Sequence, residues 1–295
     1  MNIPLILDGA MGTELIRCGL DLPLPLWSAD INLTHPESVQ QVHDAYIAAG
    51  SDVITTNTFR TTPWAYRKAG YTPLRALERS RDSLLKAVEL ANKAAMDTVR
   101  VAGSITAVED CYTPELYPGK TAVEDTYGTA LEWFLESDID LVLFETMGNM
   151  EEIKIAMELS SNLMRERWLS LILQDKSHLL DGTRLEFVFD TLREQNISVL
   201  FLNCNKIETT LDALHNFDEK WSGSWGAYPN LGITDFENHY FEILDDSKFE
   251  ASIKEILHQN PDVIGVCCGS TPRHIELIKS YIMEGENASE NQTVL

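Results

Sequence analysis

Short apolar, β-branched runs alternate with amphipathic stretches along the whole chain, and this alternation constrains the fold more than any other feature. The runs are Pro4–Leu7, Ser51–Thr58, Arg100–Ile105, Asp140–Glu145, Trp168–Leu173, Ser198–Asn205, Gly223–Tyr228 and Asp262–Val266. They are nearly continuous apolar segments, as expected of strands buried on both faces. Helix signals fill the gaps between them. Thr34-His-Pro-Glu37 has the form of a capping box, and Gly50 closes the helix it opens. Thr72-Pro73 starts a helix that runs to about Asp97, and Asn149 starts another with Glu151 and Glu152 in its first turn. A further helix is expected from about Gly182 to Gln195, and a last one with Thr271 as N-cap and Pro272 in its first position. Eight strands, each followed by a helix, predict an α/β fold: a single parallel (β/α)8 barrel. No linker or composition break divides the chain, so residues 1–284 read as one barrel domain and residues 285–295 as a polar tail that frays.

Composition narrows the partners. Forty-six acidic against 23 basic residues leave a formal charge of −23, a field that repels phosphate backbones and argues against nucleic acid. Such a field attracts cations, although it is also an ordinary means of staying soluble. Five cysteines in 295 residues do not make a disulfide framework. The start lacks a basic region and a long apolar core, and no apolar run is long enough to cross a bilayer. The expectation is a soluble cytoplasmic protein, a monomer or small homo-oligomer, that acts on small molecules.

In a parallel barrel the C-terminal ends of the strands converge on one face. Asp8, Asn57, Ser104, Glu145, Cys204, Tyr228 and the pair Cys267-Cys268 all fall at such ends. Polar groups placed there so regularly need partners, and a shared ligand would supply them. Three thiols at two strand ends suit zinc, which in catalytic sites keeps three protein ligands and one exchangeable position. An incoming thiol could occupy that position and be ionised there. Adjacent residues of a regular strand point to opposite faces, so Cys267 and Cys268 need a bulge or turn to share a metal, and Gly265 and Gly269 flank them. Small buried cysteines would serve equally well as packing. On spacing alone both readings stay open. Cys18 and Cys111 lack such a setting and read as structural.

With these residues laid out, the chain resembles the homocysteine S-methyltransferase family, which includes the betaine-dependent enzyme and the homocysteine module of methionine synthase. The resemblance spans about residues 5 to 280. It rests on Asp8-Gly-Ala-Met-Gly-Thr-Glu14, Leu26-Trp-Ser28, His35-Pro-Glu37, Val42-His43, Ile54-Thr-Thr-Asn-Thr-Phe59, Gly103-Ser104, Leu143-Phe-Glu145, Asn203-Cys204, Tyr228-Pro-Asn-Leu-Gly232 and Val266-Cys-Cys-Gly269, followed by Thr271-Pro272 and His274-Ile275. Single pieces are weak signals, whereas their order and spacing are specific.

The resemblance implies a zinc-binding TIM barrel whose metal ligands are Cys204, Cys267 and Cys268. It implies that Asp8 and Glu145 hold the homocysteine ammonium, with Gly9, Asn57 and Asn203 in the same site. Trp27 matches a donor-site tryptophan whose ring face attracts a methylated cation. His43 and His274 also match, and helical spacing makes them structural. Four departures stand out. Val266 replaces the second of two glycines before the cysteine pair, and Phe201-Leu202 stands where a smaller pair precedes Asn-Cys. Arg60 takes the place of an aromatic cage residue of the betaine enzyme, where its charge would repel an ammonium or sulfonium methyl but could bind a donor carboxylate. The loop Ala107–Pro114 also differs from that enzyme's. The implied activity is zinc-dependent methyl transfer to homocysteine, giving methionine, with S-methylmethionine or S-adenosylmethionine as the favoured donor. The alternatives are the same chemistry on another thiol or a selenol such as selenocysteine, and a non-catalytic barrel that binds zinc or a sulfur amino acid.

Overall fold

The computed structural model describes residues 3–235 and 240–293. Eight parallel strands form its centre: β1 (Leu5–Ile6), β2 (Val53–Thr55), β3 (Arg100–Thr106), β4 (Leu141–Met147), β5 (Glu166–Leu171), β6 (Val199–Lys206), β7 (Trp225–Asn230) and β8 (Val263–Ile264). Their order follows the chain from β2 to β8, and β1 pairs with β8. A parallel bridge between Leu7 and Val53 joins the two ends, so the sheet closes into a (β/α)8 barrel. The expected eight-fold alternation is present.

The strand starts share one device. Asp52, Asp140 and Asp262 each stand one residue before a strand, and their carboxylates accept the backbone N–H of Ile6, Val101 and Trp225 on neighbouring strands, at 2.8, 2.7 and 3.1 Å. Each aspartate thus satisfies a strand-end donor that has no ladder partner.

The barrel has two cores. Leu7, Val53, Ala102, Leu141, Leu143, Trp168, Val199, Phe201, Tyr228 and Val263 pack together inside it, while a larger cluster fills the shell between sheet and helices. Large rings close the barrel floor: Phe201 lies 5.3 Å from Trp168 and 5.4 Å from Tyr228, centroid to centroid. Phe201 is paired in register with Gly226 on β7, and a methyl at Gly226 would stand 2.5 Å from the Phe201 ring. The bulk at 201 is therefore matched by a missing side chain at 226 and fills the floor.

The outer helices are α1 (Met11–Arg17), α2 (Pro36–Ala49), α3 (Pro73–Ala95), α4 (Lys120–Leu135), α5 (Met150–Leu159), α6 (Leu185–Leu192), α7 (Ile207–Lys220), α8 (Asp246–His258) and α9 (Pro272–Thr293). Shorter helices at Ile31–Thr34 and Pro63–Lys68 precede α2 and α3. Asn149 caps α5 as expected, accepting the N–H of Glu151 and Glu152. The capping box expected at Thr34 does not form. A short helix already occupies Ile31–Thr34, and the Thr34 hydroxyl donates back to the Asp30 carbonyl, so His35 precedes α2 without a side-chain cap. At α9, Thr271 N–H donates to Nδ1 of His274 at 3.1 Å, so the imidazole completes a box around Pro272. His43 is fully buried on α2 with neither ring nitrogen hydrogen-bonded, and burial lowers it to about 4, so it packs as a neutral ring.

Two hairpins have no counterpart in the sequence reading: Leu173–Asp175 with His178–Leu179, and Gly232–Asp235 with Tyr240–Ile243. The segment expected to fray from Gly285 instead continues α9 to Thr293, its side chains beyond residue 285 lying outside the described set. Among the described residues no helix is long and apolar enough to cross a membrane.

Candidate metal centre and substrate cavity

A cavity of about 800 Å³ opens at the C-terminal face of the barrel. Its wall includes Asp8, Gly9, Trp27, Asn57, Glu145, Cys204, Cys267 and Cys268, so the strand-end residues do converge.

The cysteine pair reaches one face by leaving the strand. β8 was expected to run to Val266, but it ends at Ile264. The backbone then turns: Ser270 N–H donates to the Cys267 carbonyl at 3.1 Å, with Gly269 at φ 86° in the third position. Glycine adopts that angle without strain. The turn brings both sulfurs toward Cys204, and all three Sγ atoms lie within 4.8 Å of one another. Cys204 sits where the β6–β7 register shifts, with φ at 50°, and its carbonyl accepts a 2.8 Å hydrogen bond from Asn230. Cys204 and Cys267 are joined as a disulfide with Cα atoms 5.6 Å apart, and Cys268 carries a free thiol. Burial pushes that thiol up to about 12.

Three sulfurs this close fit a soft cation: four-coordinate zinc takes thiolates at about 2.3 Å and places them roughly 4 Å apart. Only the reduced set can serve, since a disulfide offers no thiolate. Val266 is buried and lines the cavity beside the cysteines.

Two carboxylates face this centre, Asp8 buried and Glu145 half-buried. Asp8 accepts Thr55 N–H at 2.9 Å and the Thr55 hydroxyl at 3.1 Å. Burial pushes its carboxyl well above the ordinary range, against the Thr55 hydrogen bonds and with added repulsion from Glu145. Glu145 accepts the Ser104 hydroxyl, and its pKa too is raised by burial against that bond. The buried Tyr228 hydroxyl lies beside Glu145 and Ser170 yet makes no well-formed hydrogen bond. Among the described residues no lysine or arginine pairs with either carboxylate. Two acids on one cavity without a cation leave negative charge there that the protein itself does not balance.

The other expected residues divide by location. Gly9 lines the cavity because nothing larger fits: a methyl there would meet Ser270 Oγ at 2.5 Å and the Tyr46 ring at 2.6 Å. Trp27 lines it with φ at 54°, its indole resting on Gly12. Asn57 reaches the wall, but its amide is committed to Ser28 and Asn32, with bonds of 2.6, 3.1 and 2.9 Å. It braces the segment that carries Trp27. Asn203 is fully buried and does not line the cavity; its Oδ1 accepts the N–H of Thr146 at 3.2 Å. Asn203 lies two residues after Phe201 on the inward face of β6, whereas Cys204, which regular alternation would turn outward with Leu202, reaches the cavity through the register shift and its positive φ. Cys18 is exposed at the end of α1, and Cys111, read as structural, is buried in the cavity wall with its thiol pushed up to about 12 by burial.

Sequence reasoning did not single out Thr55, Thr146 or Asn230. Backbone strain marks one of them. Of seven non-glycine residues with positive φ among the described residues, four line the cavity: Trp27, Arg60, Thr146 and Cys204. Strain of this kind gathers at functional sites.

A closed parallel barrel with three clustered cysteine sulfurs and two carboxylates at its C-terminal mouth has the arrangement of a barrel enzyme's active site. Comparison with known proteins makes the class definite. The family model for homocysteine S-methyltransferase matches residues 5–282. The homocysteine S-methyltransferase of Escherichia coli K12 is 31% identical over 94% of both chains. The metallated form of the E. coli homocysteine methyltransferase MmuM superposes with a TM-score of 0.83 at 28% identity, covering 95% of this chain and 96% of that one. Its oxidised form gives 0.82 at the same identity and coverage. The chain belongs to the homocysteine S-methyltransferase family and is a methyltransferase.

Proposed function

We propose that this enzyme transfers a methyl group from a sulfonium donor to the thiol of homocysteine, forming methionine, and that it does so with zinc held by Cys204, Cys267 and Cys268. The observation that carries the reading is the juxtaposition of three sulfurs within 4.8 Å and two cation-free carboxylates in one cavity. Homocysteine carries a thiol and an ammonium that match those two features.

When bound, zinc supplies an open coordination position acidic enough to ionise a thiol at neutral pH. Asp8 and Glu145 hold the ammonium and so orient the sulfur toward the cysteines. Thr55 and Ser104 fix the two carboxylates through the hydrogen bonds described above. The Leu24-Pro25 segment, Trp27, Phe59 and Leu116 give the cavity an apolar wall, and the Trp27 ring offers a face to a sulfonium methyl. In the transfer, a carbon–sulfur bond forms at homocysteine as the donor's methyl–sulfur bond breaks. The electron pair leaves with a neutral thioether. Holding both partners in line accounts for much of the acceleration.

S-methylmethionine and S-adenosylmethionine both fit as cationic sulfonium donors in a protein of charge −23. Betaine, whose methyls sit on an ammonium, is the comparison donor, since the Arg60 charge in the cavity wall acts on ammonium and sulfonium alike. A reducing compartment such as the cytoplasm would keep the triad in its metal-binding form. The test is methionine formation by reduced, zinc-loaded protein across these three donors. Turnover with a sulfonium donor supports the reading, and none with any donor refutes it.

A further inference from the structure

We propose that Arg60 selects the methyl donor by binding a carboxylate on it, away from the Asp8–Glu145 pair; the proposal rests on the methyl-transfer reading above. Arg60 lines the cavity and is half-buried, in a chain whose acids outnumber its bases two to one. Among the described residues it forms no ion pair. Its Nη1 donates to the Pro25 carbonyl at 3.2 Å, and its guanidinium lies 5.6 Å from the Phe59 ring centroid. Its Nε is buried without a partner, and Nη2 makes no hydrogen bond among the described residues.

Those two nitrogens form one edge of the guanidinium, and that edge accepts a carboxylate through two parallel hydrogen bonds. Pro25 and Phe59 hold the group and leave that edge without a protein partner. Among the described residues Arg60 makes no ion pair with Asp8 or Glu145, so its charge stays available to a second ligand group.

The backbone supports a dedicated role. Arg60 is the third residue of a turn closed by Thr61 N–H to the Thr58 carbonyl at 3.1 Å, with φ at 65°. Glycine or asparagine would sit there with less strain. A long cation is kept where a small residue would fold more easily.

The experiment compares S-methyl-L-methionine with its carboxamide, two sulfonium donors that differ in the carboxylate alone. The protein's overall negative charge favours the more cationic amide, so any preference for the acid must come from a local cation. Zinc-loaded wild type is expected to prefer the acid about 10- to 100-fold in kcat/KM. Arg60→Gly and Arg60→Gln should bring the two donors within about 3-fold, with the homocysteine KM unchanged. Arg60→Gly also relieves the backbone, so its thermal midpoint should not fall. Retained discrimination in both variants overturns the proposal, as does a loss that falls on the homocysteine KM. If wild type turns over neither donor, the methyl-transfer reading fails by itself. Calorimetric binding of the same two compounds to wild type and Arg60→Gly then decides the Arg60 proposal: no acid preference in wild type, or one that survives the variant, overturns it.

Discussion

Glu152 allows the structure to be tested through stability alone. Its side chain is 4% exposed on α5, and Oε1 accepts the N–H of Val108 at 3.1 Å, at the root of the loop that carries Cys111 and Tyr112 over the cavity. The Tyr127 hydroxyl on α4 lies beside the carboxyl, and Glu109 adds a like charge. Burial outweighs the Val108 hydrogen bond and raises its pKa from 4.5 to about 7. The native state therefore holds this proton to higher pH than the unfolded chain does. Its favourable contribution is complete below about pH 4.5 and is lost as pH rises through about 7. At about 1.4 kcal/mol per pH unit, the full linkage is about 3 kcal/mol, and local relaxation reduces what is measured to about 1–3 kcal/mol. Glu152→Gln keeps the acceptor for Val108 and abolishes the titration. The variant should match wild type near pH 5 and exceed it near pH 8 by that amount, which is about 2–6 °C in Tm for a chain of this size. Paired thermal melts across that range give the difference directly. A difference independent of pH, or a variant weaker than wild type at pH 8, would refute the reasoning.

The same logic separates binding from folding at Asp8. Asp8→Asn and Glu145→Gln should raise the homocysteine KM by about 10- to 100-fold through loss of a charge-assisted contact. The ligand-free proteins should melt no lower than wild type, because a buried carboxylate without a cation has been neutralised; steady-state kinetics and melts check the pair. Gly226→Ala should destabilise the barrel by about 1–3 kcal/mol, read from urea midpoints, since its methyl would press on the Phe201 ring and the Val263 carbonyl. Phe201→Leu in the same background should recover part of that loss.

The fold was legible because its signals are local and repeated. Apolar runs and proline-led helix starts each act within a few residues, and eight repetitions make a barrel the economical closure. The two hairpins escaped because they are short insertions in loops, with no period of their own. Positions of the triad and of the paired carboxylates followed from strand ends alone. What each side chain does there did not follow, because it depends on neighbours distant in sequence. Asn57 sits at a strand end as expected, yet its amide is committed to Ser28 and Asn32. Asn203 adjoins a cysteine of the triad, yet its amide oxygen is committed to the Thr146 N–H and it does not line the cavity. Cys267 and Cys268 could share a face only through a turn whose glycine was visible but whose closing hydrogen bond was not.

The central claim is an open thiolate metal site that receives the substrate sulfur. Metal content and X-ray absorption of freshly reduced protein, with and without homocysteine, test it most directly beside a Cys204→Ser variant. The account predicts about one zinc per chain with three sulfur neighbours, a fourth sulfur when homocysteine is added, and metal largely lost from the variant. Reduced protein that binds no zinc, or a metal whose sulfur count homocysteine leaves unchanged, would contradict it.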